Sequence, residues 1–81
     1  MSKTNKVYEK LMAGQSDNNF AFEDLLYLLV KLGFKPHQSG SHIVCKKGTA
    51  FANIQPRCGK AKSYQLEEVR KELKKHNIKP E

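Results

Sequence analysis

The sequence predicts an α+β domain in which two helices cover one face of a three-stranded antiparallel sheet, with an extra short helix in front. Three observations lead there. Apolar residues recur at helical spacing in residues 5–13, 22–33 and 63–76. Between the last two of these, His42–Lys46 and Phe51–Gln55 alternate as strands do, joined by a glycine-containing connection of hairpin length. A chain of 81 residues has room for one core. Residues 1–81 are therefore read as a single domain, with 1–19 an accessory helix and connector and 20–78 the main unit.

In the first helix, Val7 with Leu11 and Tyr8 with Met12 stand four apart and make one apolar stripe, which Gly14 ends. Gly14 through Asn19 is a polar connector rich in turn formers. Residues 22–33 carry the strongest helical signal. Glu23 and Asp24 sit in the first turn, where the helix dipole favours acids, and Lys31 and Gly33 mark the end. Phe22, Leu25, Leu26, Leu29 and Leu32 form the core stripe. Leu28 and Val30 leave too little polar face for an exposed helix, so the first helix is expected to cover part of the other side.

Phe34-Lys35-Pro36-His37 reads as a short edge strand, because proline in a central strand would remove a ladder donor. Gln38 through Ser41 reads as a turn, with Gly40 the position able to take positive φ. Period-2 alternation then puts Ile43 and Cys45 on the core face, with His42, Val44 and Lys46 on the other. On the next strand Ala52 and Ile54 match the core face, leaving Phe51, Asn53 and Gln55 open. Pro56 stops that strand, and Arg57 through Lys62 is expected as a basic loop. The last helix starts near Ser63, with Leu66, Val69 and Leu73 as its core stripe; Asn77 supplies a left-handed cap. Without the first helix the order is α-β-β-β-α, the layout of the double-stranded-RNA-binding domain.

The charge is as informative as the pattern. Fifteen Lys and Arg stand against eight Asp and Glu, a net +7. The first 34 residues sum to zero, so residues 35–81 carry all of it. No acidic residue lies between Asp24 and Glu67, an interval holding Lys31, Lys35, Lys46, Lys47, Arg57, Lys60 and Lys62. A surface of this kind attracts polyanions. No apolar run approaches the roughly 18 residues a membrane helix needs, so no membrane partner is expected. The polar start at Met1–Lys6 leads into no signal-peptide core, so the expected compartment is the cytoplasm. Two cysteines, Cys45 and Cys58, are too few for a disulfide framework.

Leu-Gly-Phe at 32–34, Gly-Ser-His at 40–42, a strand ending at Pro56, then Lys62-Ser-Tyr-Gln-Leu and Val69 on a terminal helix together resemble the HicA-type toxins. The likeness covers roughly residues 20–78. It implies a double-stranded-RNA-binding-like fold, endoribonuclease cleavage of messenger RNA that arrests growth, and neutralisation by a HicB-like antitoxin protein. By position it puts the catalytic histidine on His42 and the supporting turn on Gly40 and Ser41. Many members have a second histidine where this chain has Ile43, and proline where it has Ser63.

The residues suit that chemistry on their own terms. Metal-independent RNA cleavage sets the 2′-OH against the adjacent phosphate and needs a base, an acid and positive charge at the phosphorane. Histidine titrates near working pH, with an unperturbed pKa of about 6.5, and so serves either proton transfer. Lysines serve the charge. His42 is the candidate acid or base; Lys46, Lys47, Arg57, Lys60 and Lys62 are candidate contacts to single-stranded or messenger RNA. His37 is a further candidate for proton transfer, with no orientation fixed by sequence. No small-molecule cofactor is implied. Zinc is set aside because Cys45, Cys58, His37 and His42 lack finger-like spacing, only His37 to His42 coming near it. Two other readings stay open: a non-catalytic RNA-binding module using the same basic face, and a basic adaptor for an acidic protein.

Overall fold

The computed structural model describes residues 3–14 and 19–80. Its elements are α1 (Lys3–Ala13), α2 (Phe22–Lys31), β1 (Lys35–Ser39), β2 (His42–Lys47), β3 (Ala50–Ile54), β4 (Pro56–Arg57), β5 (Lys60–Ala61) and α3 (Ser63–Lys75). β1, β2 and β3 form an antiparallel sheet in that order, with β2 in the centre. The α+β class and the three-stranded sheet expected from sequence are present. Among the described residues no helix is long and apolar enough to cross a membrane. The polar connector expected over 14–19 falls largely on residues 15–18, which lie outside the described residues.

One core joins all three helices to one sheet face. Leu11 of α1, Leu25, Leu28 and Leu29 of α2, Cys45 and Ile54 of the sheet, and Leu66 of α3 are completely buried. Leu28 belongs to the face that sequence patterning assigned to α1, and α1 packs against α2 there. Val30, expected to share that cover, is instead exposed. α1 is also tied to α3, where the Arg70 guanidinium donates to the Leu11 carbonyl at 2.6 Å. α1 thus shares the same core as the rest.

Both long helices stop in the same way. After α2, Gly33 takes φ +101°, its N–H bonds the Val30 carbonyl, and the Phe34 N–H reaches back to Leu29 at 2.9 Å. After α3, Asn77 takes φ +53°, its N–H bonds Lys74, and the Ile78 N–H reaches Leu73 at 2.8 Å. This paired closure is the Schellman motif, which satisfies helix-end carbonyls and folds an apolar residue back onto the helix. It explains one departure from the sequence expectation. Phe34 is not the first strand residue; it is the buried apolar residue of the cap, and β1 begins after it and runs two residues further than expected, to Ser39.

The basic loop expected over 57–62 is a second departure. It contains a small hairpin, β4 with β5, turning through Cys58 and Gly59, both at positive φ (52° and 77°). Two successive positive φ values define the type I′ turn, whose twist suits a hairpin. This hairpin seats the start of α2. The Gly59 carbonyl accepts the Phe22 N–H at 3.0 Å, one of the donors a helix leaves unpaired at its N-terminus, and the Phe20 carbonyl accepts the Ala61 N–H at 2.8 Å. Ala21 provides no side-chain cap, so the hairpin does that work.

Candidate functional site

The tight turn between β1 and β2 decides which residues share a face. Ser39 pairs with His42, which leaves only Gly40 and Ser41 in the loop. Gly40 has φ +62° and Ser41 does not have positive φ, the pattern of a type II′ turn with glycine first. Gly48-Thr49 repeats it between β2 and β3, where Lys47 pairs with Ala50 and Gly48 has φ +59°. Gln38 and Ser39, expected within the turn, are strand residues.

With both loops this short the register is fixed. Lys35 stands opposite Lys46, and Lys46 opposite Phe51. His37 stands opposite Val44, and Val44 opposite Asn53. Ser39 stands opposite His42. Residues directly across a sheet point to the same side, so these three rows make one face. It is the face away from the helices: Lys35, His37, Ser39, His42, Lys46, Phe51 and Asn53 are all exposed. The alternate set faces the core, with Cys45, Ala52 and Ile54 buried and Ile43 half-buried. The orientations expected for His42, Val44 and Lys46 are those observed. Because no acidic residue occurs between Asp24 and Glu67, all three strands are free of carboxylates.

The His42 end of this face is organised by residues that sequence reading left unassigned. One step past the Ile43–Ile54 pair, the register carries Gln55 opposite His42. The Gln55 side chain donates to Ser41 Oγ at 3.1 Å and accepts from Lys62 Nζ at 3.1 Å. Its backbone N–H donates to Oε1 of Gln65, a buried polar side chain in the first turn of α3, at 3.0 Å. Lys62, just before α3, is thereby tied through Gln55 to the turn residue that precedes His42. The signal was present in the sequence: a two-residue loop at Gly48-Thr49 makes positions 42 and 55 opposite.

The other basic candidates disperse. Lys46 lies on the open face beside Lys35, and both line a depression of about 790 Å³ together with His37, Ser39 and Val44. Lys47 has a structural task, donating to the Leu32 carbonyl at the end of α2 at 2.6 Å. Arg57 and Lys60 lie on the small β4–β5 hairpin, outside the three-stranded sheet. Gly40 has nothing within 4 Å of where a Cβ would stand, so its role is conformational. Cys45 is buried in the core, and burial pushes its thiol up to about 11; Cys58 is exposed. Among the described residues no three His, Cys, Asp or Glu side chains converge as a metal site would require.

The arrangement presents an imidazole at the head of the central strand, flanked by lysines, on a face open to a large ligand. Compared with protein-family models, curated proteins and solved structures, the chain matches none.

Proposed function

We propose that this chain is a toxin of the HicA type, a metal-independent endoribonuclease that cleaves messenger RNA in the cytoplasm with His42 as general acid or base, and that a HicB-like antitoxin protein neutralises it. The observation that carries this reading is the position of His42. It is exposed on the uncovered face of the sheet, one residue after a tight glycine turn, with Lys46 on the same strand and Lys62 tethered through Gln55. Imidazole supplies proton transfer near neutral pH, and the lysines supply charge for a phosphorane. The α-β-β-β-α order, with the helices on one side, supports a double-stranded-RNA-binding-like fold, and the Gly-Ser-His turn supports the toxin assignment.

The test is induction of the chain in bacteria. Growth arrest and fragmentation of messenger RNA are expected from the wild type, and neither from His42→Ala, which stays folded because its side chain is exposed. Full toxicity of His42→Ala would sink the assignment. A second reading, an RNA-binding module without catalysis, is favoured by Phe51. This aromatic side chain is 46% exposed opposite Lys46, as a base-stacking platform beside a phosphate contact would be. Salt-dependent RNA binding without cleavage by the wild type would select it.

A further inference from the structure

Cleavage by a 2′-OH needs two proton transfers, one at each end of the reacting P–O axis, and His42 can perform only one of them at a time. Resting on the nuclease reading, we infer that His37 is the second catalytic residue and that His37 and His42 act as an acid–base pair across the β1–β2 hairpin. Their placement carries the inference. His37 pairs with Val44 and His42 with Ser39, so the two histidines occupy diagonal positions on neighbouring strands. Both are exposed on the uncovered face. Diagonal residues of an antiparallel pair lie about 7–8 Å apart, a gap that admits one phosphate with its two apical oxygens between the ring tips.

The alternatives are poorer. Ile43, next to His42 in sequence, faces the helices, so no side chain there shares this face. His76, the remaining histidine, caps the end of α3 and contacts Glu72 at 3.5 Å. The charged groups on the face with the pair are Lys35 of β1 and Lys46 of β2, with Lys62 held at the Gln55 end. No carboxylate stands on any of the three strands. The lysines raise the local positive potential, which attracts the phosphodiester and favours one of the two imidazoles staying neutral as a base.

The step balances without a co-reactant. One imidazole, neutral, takes the 2′-OH proton as the 2′ oxygen bonds to phosphorus. The P–O5′ bond breaks, and the other imidazole, protonated, delivers its proton to the departing 5′ oxygen. The products are a 2′,3′-cyclic phosphate and a 5′-hydroxyl, and the two histidines have exchanged protonation states.

The experiment measures kcat/KM against pH for wild type, His37→Ala and His42→Ala on an oligoribonucleotide, and on the same strand with a sulfur-bridged 5′ leaving group that needs no acid. The wild type is expected to give a bell-shaped profile. Each variant is expected to lose about 10²–10⁴-fold and one limb of the bell. The sulfur-bridged substrate is expected to restore whichever variant lacks the acid and leave the other slow, a pattern a merely structural role would not produce. His37→Ala with wild-type kcat/KM at every pH, beside an inactive His42→Ala, would overturn the pairing and leave the nuclease reading intact. No cleavage by the wild type would remove both. Cleavage abolished by a chelator and restored by a divalent metal would also overturn the pairing.

Discussion

The two glycine turns at the ends of β2 allow a controlled test of how the site is held. Gly40 and Gly48 have nearly equal φ, +62° and +59°, and a Cβ at either would meet no atom within 4 Å. Replacing either with alanine therefore adds no clash and charges only for the positive φ. That conformational cost is about 1–2 kcal/mol for an L residue. The stiffer unfolded chain offsets it by about 0.4–1 kcal/mol. A net loss near ~1 kcal/mol is expected at both sites, read as a fall in Tm of about 4–8 °C in a domain of this size.

The consequences for cleavage differ because only one turn carries the histidines. Gly40 sets the Ser39–His42 pair and with it the spacing of His37 and His42, whereas Gly48 lies at the far end of the strand. Gly40→Ala is expected to lower kcat/KM well beyond what its stability loss explains; Gly48→Ala, equally destabilised, should cleave like wild type below its Tm. The chain is short enough to assemble chemically, and D-alanine at position 40, which prefers positive φ, should restore both stability and cleavage. Equal Tm losses from L- and D-alanine at position 40 would refute the conformational account. Equal cleavage by the two L-alanine variants would refute the link between turn and site.

Two further outcomes test the frame around the site. Leu11→Ala empties a completely buried position on α1 and should cost about 2–5 kcal/mol in urea unfolding; since a chain this long has only about 4–12 kcal/mol in total, a loss under 1 kcal/mol would mean α1 does not share the core. At pH 8 a thiol-alkylating reagent should modify one cysteine of the native chain, Cys58, and both in urea, because burial holds the Cys45 thiol protonated up to about 11. The sign for stability follows: the unfolded thiol ionises first, so the folded state loses stability as pH climbs from about 9 towards 11. Rapid native labelling of Cys45, or stability rising over that interval, would contradict the burial.

Elements and faces were legible in the sequence wherever a period carried them. Ile43 and Cys45 against His42, Val44 and Lys46 came from alternation alone, because a half-buried strand writes its two environments into odd and even positions. What sequence reading missed turned on loop lengths and caps. Gln38 and Ser39 look like turn formers, and counting them as a turn hid the parity that brings His37 to His42's face. Phe34 looks like the start of a strand because a Schellman cap also ends in an apolar residue. Cys58 gives no sign that it will take positive φ, so the β4–β5 hairpin read as loop. Gln65, polar and near a helix start, reads as surface, yet it is buried to hold the end of β3. For the lysines, closeness in the chain did not mean a shared surface: Lys46 and Lys47 are neighbours, but one lies on the open face and the other caps α2.

The sheet also divides its labour unevenly between its strands, and this bears on how firmly the pair is held. β2 and β3 bury alternate residues in the core, whereas every residue of β1 is exposed. β1 therefore owes its place to its backbone pairing with β2 and to its two ends, the Schellman cap at Phe34 and the turn at Gly40. Edge elements with little buried apolar area open at lower free energy than the core they border. His42 rides on the strand that opens last, and His37 on the one that opens first. Any partner that lies along β1 and keeps it paired would hold the two histidines in register, while one that draws β1 away would separate them without disturbing the core.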